Sequence, residues 1–187
     1  MHWIVFLILA GCSIGCDFDT LAIPDTASTL AIGSDSIPPA INPSGNTVET
    51  RFPAPEGFAR LPATANTFAS YLRQLPLHPD GYAVHLYNGQ LKNYQNGHCA
   101  VIQLDIGHRD LQQCADAVIR LRAEYLYAQK RYSDIHFNFT NGFRAEYTRW
   151  RAGARIRVDG KRAYWVAGGP ASESYAAFRQ YLDLVFA

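Results

Sequence analysis

The sequence predicts an α+β domain with a mostly antiparallel sheet packed against three helices. Three observations favour this class. Apolar residues recur at helical spacing in the longer segments, apolar and polar residues alternate in the shorter ones, and Asn-Gly or Asp-Gly pairs follow several short segments. Because strands joined by tight turns run antiparallel, we expect mostly antiparallel pairing.

The first half of the domain predicts one helix and two short strands. Residues 64–75 have helical spacing, with Thr64 or Asn66 as the cap and Pro76 as the end. Residues 82–87 alternate as in a strand, and Asn88-Gly89 predicts a hairpin or tight connection after them. Residues 98–106 predict a half-buried strand whose apolar face carries Ala100, Ile102, Leu104 and Ile106.

The clearest helix is predicted from residue 111 to about residue 130. Asp110 is a suitable N-cap, and Gln113 can reach back to it as in a capping box. Charged residues at i, i+4 spacing form a ladder that predicts a solvated face: Asp116, Arg120 and Glu124. The opposite, apolar stripe consists of Leu111, Cys114, Val118, Leu121 and Tyr125.

The remaining segments predict a strand, a hairpin and a final helix. Residues 135–140 alternate and end at Asn141-Gly142, and residues 155–158 and 161–166 flank Asp159-Gly160 as a β-hairpin. Residues 173–186 predict a helix capped by Ser172. Its inward positions are Tyr175, Phe178, Leu182 and Val185.

The composition indicates one ordinary globular domain, with 187 residues, 48% hydrophobic residues and a net charge of +1. The 17 Lys+Arg and 16 Asp+Glu residues leave no positive surplus to attract phosphate backbones, so we expect no nucleic-acid partner. The four cysteines form no CxxC pair, and we expect neither a metal nor a cofactor. A disulfide between Cys99 and Cys114 stays open for an oxidising compartment.

The N-terminus has the pattern of a targeting segment. Residues 3–10 form an unbroken apolar run, far shorter than the roughly 20 residues of a membrane-spanning helix but sufficient for a signal peptide. Leu9-Ala10-Gly11-Cys12 resembles the lipobox of bacterial lipoproteins, which implies cleavage before Cys12 and membrane lipid on its thiol. By the same resemblance, Ser13 implies the outer membrane of a Gram-negative bacterium. The alternative is a buried N-terminal strand with an incidental cysteine.

The chain therefore divides into three predicted parts. Residues 1–11 are the signal peptide, residues 12–50 are the lipidated cysteine and a flexible tether, and residues 51–187 are the domain. The tether is indicated by a segment rich in Pro, Ser, Thr, Asp and Gly without a sustained helical or strand period.

One candidate site involves a cysteine nucleophile. The sequence has no phosphate-binding glycine loop, G-x-S-x-G elbow or H-E-x-x-H helix. Cys114 lies in the first turns of a predicted helix, where the helix dipole stabilises a thiolate. His136 is then the candidate base, and Asn138 the residue that orients it or donates to an oxyanion. The alternative for Cys114 is packing on the apolar stripe.

Two further groups carry ligand-type side chains. A zinc site could draw on His98, Cys99, Asp105 and His108, although strand alternation places His98 on the opposite face from Cys99 and Asp105. The aromatic-rich stretch from Phe143 to Trp150, with Arg144, Arg149 and Arg151, could stack on sugars or hold a carboxylate. The alternative for this stretch is covering the edge of the core.

Three segments carry a family resemblance: DLQQCADAVIRLRAEYLYAQKRYSDIHFNFTNGFRAEY from Asp110, RFPAPEGF at 51–58 and HLYNGQLK at 85–92. Together they closely resemble domain of unknown function 4846 (DUF4846), a bacterial family made up largely of lipoproteins or secreted proteins. Members typically continue into a strand with a Gly-His pair, similar to the histidine strand of papain-like cell-wall amidases. In that comparison Cys114 stands at the nucleophile position, and the resemblance implies a truncated papain-like fold that lacks its base.

These observations lead to two functional hypotheses. The first is a membrane-anchored lipoprotein of the cell envelope with a non-catalytic or binding role. The alternative is a papain-like cysteine amidase or peptidase acting on cell-envelope peptides, inactive here if the downstream histidine is missing. Neither hypothesis names a protein or cell-wall partner.

Overall fold

The computed structural model describes residues 41–187 in full and residues 3–5 by their backbone. The lipobox, Cys12 and the tether up to residue 40 lie outside the described residues. No helix within these described ranges is long and apolar enough to cross a membrane.

The described residues form six short strands in three antiparallel pairs. The first pair joins β1 (Trp3–Val5) to β2 (Val101–Asp105). The second joins β3 (His136–Asn138) to β4 (Arg144–Glu146), and the third joins β5 (Ala154–Asp159) to β6 (Arg162–Ala167).

Five helices accompany these strands in the described part of the chain. They are α1 (Val48–Arg51), α2 (Phe68–Arg73), α3 (Cys114–Ala128), α4 (Tyr147–Arg151) and α5 (Tyr175–Val185). The predicted α+β class with antiparallel pairing is confirmed. The prediction of three helices missed the two shortest, α1 and α4, which are too short to show a helical period.

The main core forms between the C-terminal half of α3, α4 and α5. Phe178, Tyr181 and Leu182 of α5 are fully buried. Trp150 of α4 donates its indole N–H to the carbonyl of Ala177 at 3.0 Å, which joins α4 to α5. The predicted inward face of the last helix missed Tyr181, and it included Tyr175, which is 47% exposed.

Three helices begin later than predicted, and each has an N-cap residue other than the predicted one. In α3, Gln113 is the N-cap, and its backbone N–H donates to the carboxylate of Asp116 at 3.2 Å. Thr67 caps α2 by accepting from the N–H of Ser70 at 3.3 Å. Ser174 rather than Ser172 caps α5.

The predicted strands are confirmed in part. The predicted β5–β6 hairpin forms, but its turn residues are Gly160 and Lys161 rather than Asp159 and Gly160, because Asp159 pairs with Arg162. The strand β2 lies within the predicted segment 98–106. Residues 82–87 form no strand, so that prediction was wrong. A turn with Gly89 at φ +84° is present there, and a single bridge between His85 and Leu91 closes it.

The folded domain begins earlier than residue 51. The side chain of Arg51 is buried and donates to the carbonyls of Gly45 at 2.9 Å and His78 at 3.1 Å. The backbone N–H of Asn42 donates to the carbonyl of Arg51 at 2.9 Å. Residues 42–50, which composition assigned to the tether, are therefore part of the domain. One buried arginine organises them, and composition does not reveal it.

Candidate functional site

An apolar groove of about 300 Å³ lies between α1, α2, β2 and the N-terminal half of α3. This volume is at the lower end of the range of pockets that bind ligands, about 300–1,000 Å³. Its lining is apolar apart from one thiol, that of Cys99. Among the lining residues are Val48, Phe68, Leu72, Cys99, Ile102 and Val118.

The groove exists because the apolar stripe of α3 is longer than the surface that covers it. Leu121 and Tyr125 of the stripe are buried, and Leu121 packs in a small cluster with Leu75, Leu77 and Ile102. Nearer the start of the helix, Val118 is 57% exposed at the groove. The stripe was predicted from the sequence, but its uncovered end was not.

The strand β2 lines this groove through the side chain of Ile102, and one edge of the strand pairs with β1. Residues 76–78 occupy the other edge, where His78 N–H donates to the Val101 carbonyl and Gln103 N–H to the Pro76 carbonyl, each at 2.8 Å. Because successive residues of a strand point their backbone groups to opposite edges, the N–H and C=O of Ile102 face away from residues 76–78. The strand β1 lies on that side, with Ile4 opposite Ile102. Ile102 thus contributes its side chain to the groove and its backbone to the edge.

His78 is a titratable residue of the segment that pairs with β2. Its side chain is 7% exposed and stacks on Tyr82 with ring centroids 3.9 Å apart. Burial lowers the pKa of His78. The imidazole therefore favours its neutral form beside β2.

The predicted solvated face of α3 is wrong at Arg120, which is completely buried. Its guanidinium pairs with Glu124 at 2.7 Å and donates to the carbonyl of Asp105 at 3.2 Å. Tyr175 of α5 donates its hydroxyl to the same Glu124 carboxylate at 2.6 Å. Burial, followed by this hydrogen bond, raises the pKa of Tyr175. Arg120 and Glu124 of the ladder therefore form an internal ionic cluster that holds α3, α5 and the end of β2 together. Asp116 instead helps to cap the start of α3.

The residues of the predicted cysteine site are divided between two elements, α3 and β3. Cys114 is the exposed first residue of α3, so the packing alternative for its thiol was wrong. His136 is half-buried in β3, and its Nδ1 is buried without a hydrogen-bond partner in the described chain. Asn138 is exposed at the end of β3.

The fold places this cysteine and this histidine near opposite ends of α3. The helix rises about 21 Å from Cys114 to Ala128 at about 1.5 Å per residue. Ile135, which precedes His136, belongs to the core cluster that includes Leu126 near the end of the helix. No hydrogen bond within residues 41–187 joins Cys114 to His136 or Asn138. The trio stays a prediction that the structure does not assemble.

The other predicted ligand groups are dispersed as well. No three His, Cys, Asp or Glu side chains among the described residues are grouped to hold a metal ion. The thiols of Cys99 and Cys114 are free, so no disulfide joins them. In the stretch from Phe143 to Arg151, Trp150 is buried and the guanidinium of Arg149 lies 4.7 Å from the ring centre of Trp165. That stretch covers the edge of the core, which agrees with the alternative to a sugar or carboxylate site.

The profile of the family described as Domain of unknown function (4846), DUF4846, matches residues 48–187. The chain belongs to this family. No curated protein and no solved structure matches it.

The DUF4846 match begins at the first residue of α1, so every lining residue of the groove lies within the family region. The strand β1 lies before it. Among the described residues of the DUF4846 region, only the segment 76–78 pairs with β2. In the described structure, the strand that pairs with the other edge of β2 therefore comes from outside the DUF4846 region.

Proposed function

We propose that the chain is a lipid-anchored domain of the cell envelope with a binding, non-catalytic role. The observation that carries the binding role is the apolar groove, because an apolar surface left open in a small domain marks an interaction site. Its lining supplies no general base. The proposed ligand is therefore held by burial of apolar surface.

The proposed anchor is membrane lipid on Cys12, with the outer membrane of a Gram-negative bacterium as the location. Leu9-Ala10-Gly11-Cys12 and the apolar run before it support this proposal. Several acyl chains on one residue give stable anchoring, since each buried CH₂ contributes about 0.8 kcal/mol.

The anchor is tested by comparing Cys12→Ala with Cys16→Ala in cells fed labelled fatty acid. Cys16 is a matched control, because it lies four residues further on without the lipobox pattern before it. We expect Cys12→Ala to lose the label and leave the membrane fraction, and Cys16→Ala to keep both. A Cys12→Ala protein that stays labelled and membrane-bound refutes the anchor.

A second candidate is the papain-like thiol hydrolase acting on peptide or amide bonds of the envelope. The observation that favours it is the exposure of Cys114 at the start of a long helix. The wild type, Cys114→Ala and the control Cys99→Ala are incubated with isolated cell-wall peptides, and released amines are measured. The binding proposal expects no release from any of them. Release that only Cys114→Ala abolishes makes the enzyme the correct assignment.

A further inference from the structure

We propose that the free edge of β2 and the adjoining groove accept an extended apolar peptide strand from a partner protein. The inference rests on the proposed function, because cleavage before Cys12 removes β1 from this edge. The proposed ligand of the binding domain is thus a peptide that binds as an added strand.

This edge of β2 already accepts a strand. In the full chain, the apolar segment Trp3–Val5 pairs antiparallel with β2, and Ile4 lies opposite Ile102. When that segment is removed, the backbone N–H and C=O of Ile102 lose their partners. An exposed strand edge of this kind is a template for another strand.

The edge that would bind the peptide backbone lies next to a surface that can bind peptide side chains. Ile102 lines the groove, so the residue opposite it on an added strand has its side chain on the groove side. The next residue of that strand points away, because side chains alternate. We therefore expect a partner segment with apolar residues at every second position.

A lipid tail fits this site less well, because it offers no N–H or C=O to the edge of β2. A second copy of the domain could offer a strand edge of its own, such as its β2, and a dimer in the test below identifies that occupant. A peptide from another protein pairs with the edge and turns an apolar side chain toward the groove side at Ile102.

The test uses processed protein purified from membranes and placed in lipid nanodiscs, with the start of the chain established by mass spectrometry. The probe is a fluorescent peptide of alternating valine and threonine between terminal lysines, followed by anisotropy. Empty nanodiscs correct for binding to lipid. We expect saturable binding with a Kd below about 100 µM.

Two matched pairs of controls make the test specific. On the protein, Val118→Asp places a charge at the groove, whereas Val158→Asp changes a similarly exposed valine of β5 (57% and 54% exposed). On the peptide, N-methylation of the central valine removes an N–H that faces β2, whereas N-methylation of a threonine removes one that faces away. We expect Val118→Asp and methylvaline to weaken binding about tenfold or more, and both controls to leave it nearly unchanged.

Each outcome decides the proposal. The absence of saturable binding, or binding that ignores both changes, overturns it. So does a dimer of the wild type that Val118→Asp dissociates, or oleate binding in the groove without peptide binding. If the mass shows that Met1 is retained, the proposed anchor fails. The same titration is then made on the full chain carrying Ile4→Pro, because proline at this position prevents β1 from pairing with β2. Binding there supports the acceptor site, and its absence overturns it.

Discussion

Replacing Arg120 by methionine removes a buried cation without removing the bulk of its side chain. The guanidinium is fully buried, and the carboxylate of its partner Glu124 is only 13% exposed. In Arg120→Met, the Glu124 carboxylate keeps its bond from Tyr175 but loses its countercharge. The backbone carbonyl of Asp105 loses a donor at the same time.

The magnitude follows from the cost of an uncompensated buried charge. Breaking such a pair by removing one partner costs about 3–5 kcal/mol, most of which is the unpaired charge left behind. Adding Glu124→Gln removes that charge, and the amide can still accept from Tyr175. We therefore expect the double variant Arg120→Met/Glu124→Gln to recover at least half of the loss.

Urea unfolding followed by circular dichroism measures both steps. With a slope of about 1–3 kcal/mol per molar urea, the single variant lowers the midpoint by about 1 M or more. Arg157→Met, on an exposed position of β5, is the control and should stay within about 0.5 kcal/mol of the wild type. A double variant no more stable than Arg120→Met refutes the reasoning, because the unpaired carboxylate is then not the source of the loss.

Three further predictions concern hydroxyl groups and thiols. Tyr181→Phe should cost about 1–2 kcal/mol in urea unfolding, because its buried hydroxyl donates to a β4 carbonyl at 2.8 Å. Tyr147→Phe, whose ring lies 5.2 Å away, should cost almost nothing, because its buried hydroxyl has no partner in the described chain; equal losses contradict this. Burial raises the pKa of Tyr71 and of Tyr147 from 10.0 to about 12. The unfolded chain releases these protons first, so the urea midpoint should be unaffected by these two groups below pH 10 and fall between pH 10 and 12. In Tyr147→Phe we expect the urea midpoint to fall less over this pH range than in the wild type. If it falls equally in both, the raised pKa of Tyr147 is not a cause of the fall. Iodoacetamide should modify the exposed Cys114 before the half-buried Cys99, as peptide mapping measures, and the reverse order contradicts the described exposure.

Local features of the fold could be predicted from the sequence because their causes are local. The β5–β6 hairpin depends on a turn with Gly160 at φ +56° and on alternation in its two strands. The existence of α3 follows from its period over four turns. Its first residue does not, since Asp110 is the preferred type of N-cap, yet the fold begins the helix after Gln113.

Features that depend on distant parts of the chain were not predictable. The i, i+4 spacing of Arg120 and Glu124 is the same on a solvated face and in a buried cluster. Tyr175 hydrogen-bonds to both residues although it lies 55 positions after Arg120 and 51 positions after Glu124 in the sequence. The groove was unpredictable for the same reason, because the exposure of Val118 depends on where α1 and α2 end. Its lining residues look like core residues in the sequence, and most of them pack like core residues.

The central claim is that the edge of β2 is open in the processed protein and closed by β1 in the precursor. Amide hydrogen exchange across residues 101–105 tests it most directly, with processed wild type compared with the Cys12→Ala precursor. The account predicts a protected Ile102 amide in the precursor, rapid exchange after processing, and renewed protection when the alternating peptide is added. Equal protection of Ile102 in the two proteins, or no change on adding the peptide, would contradict it.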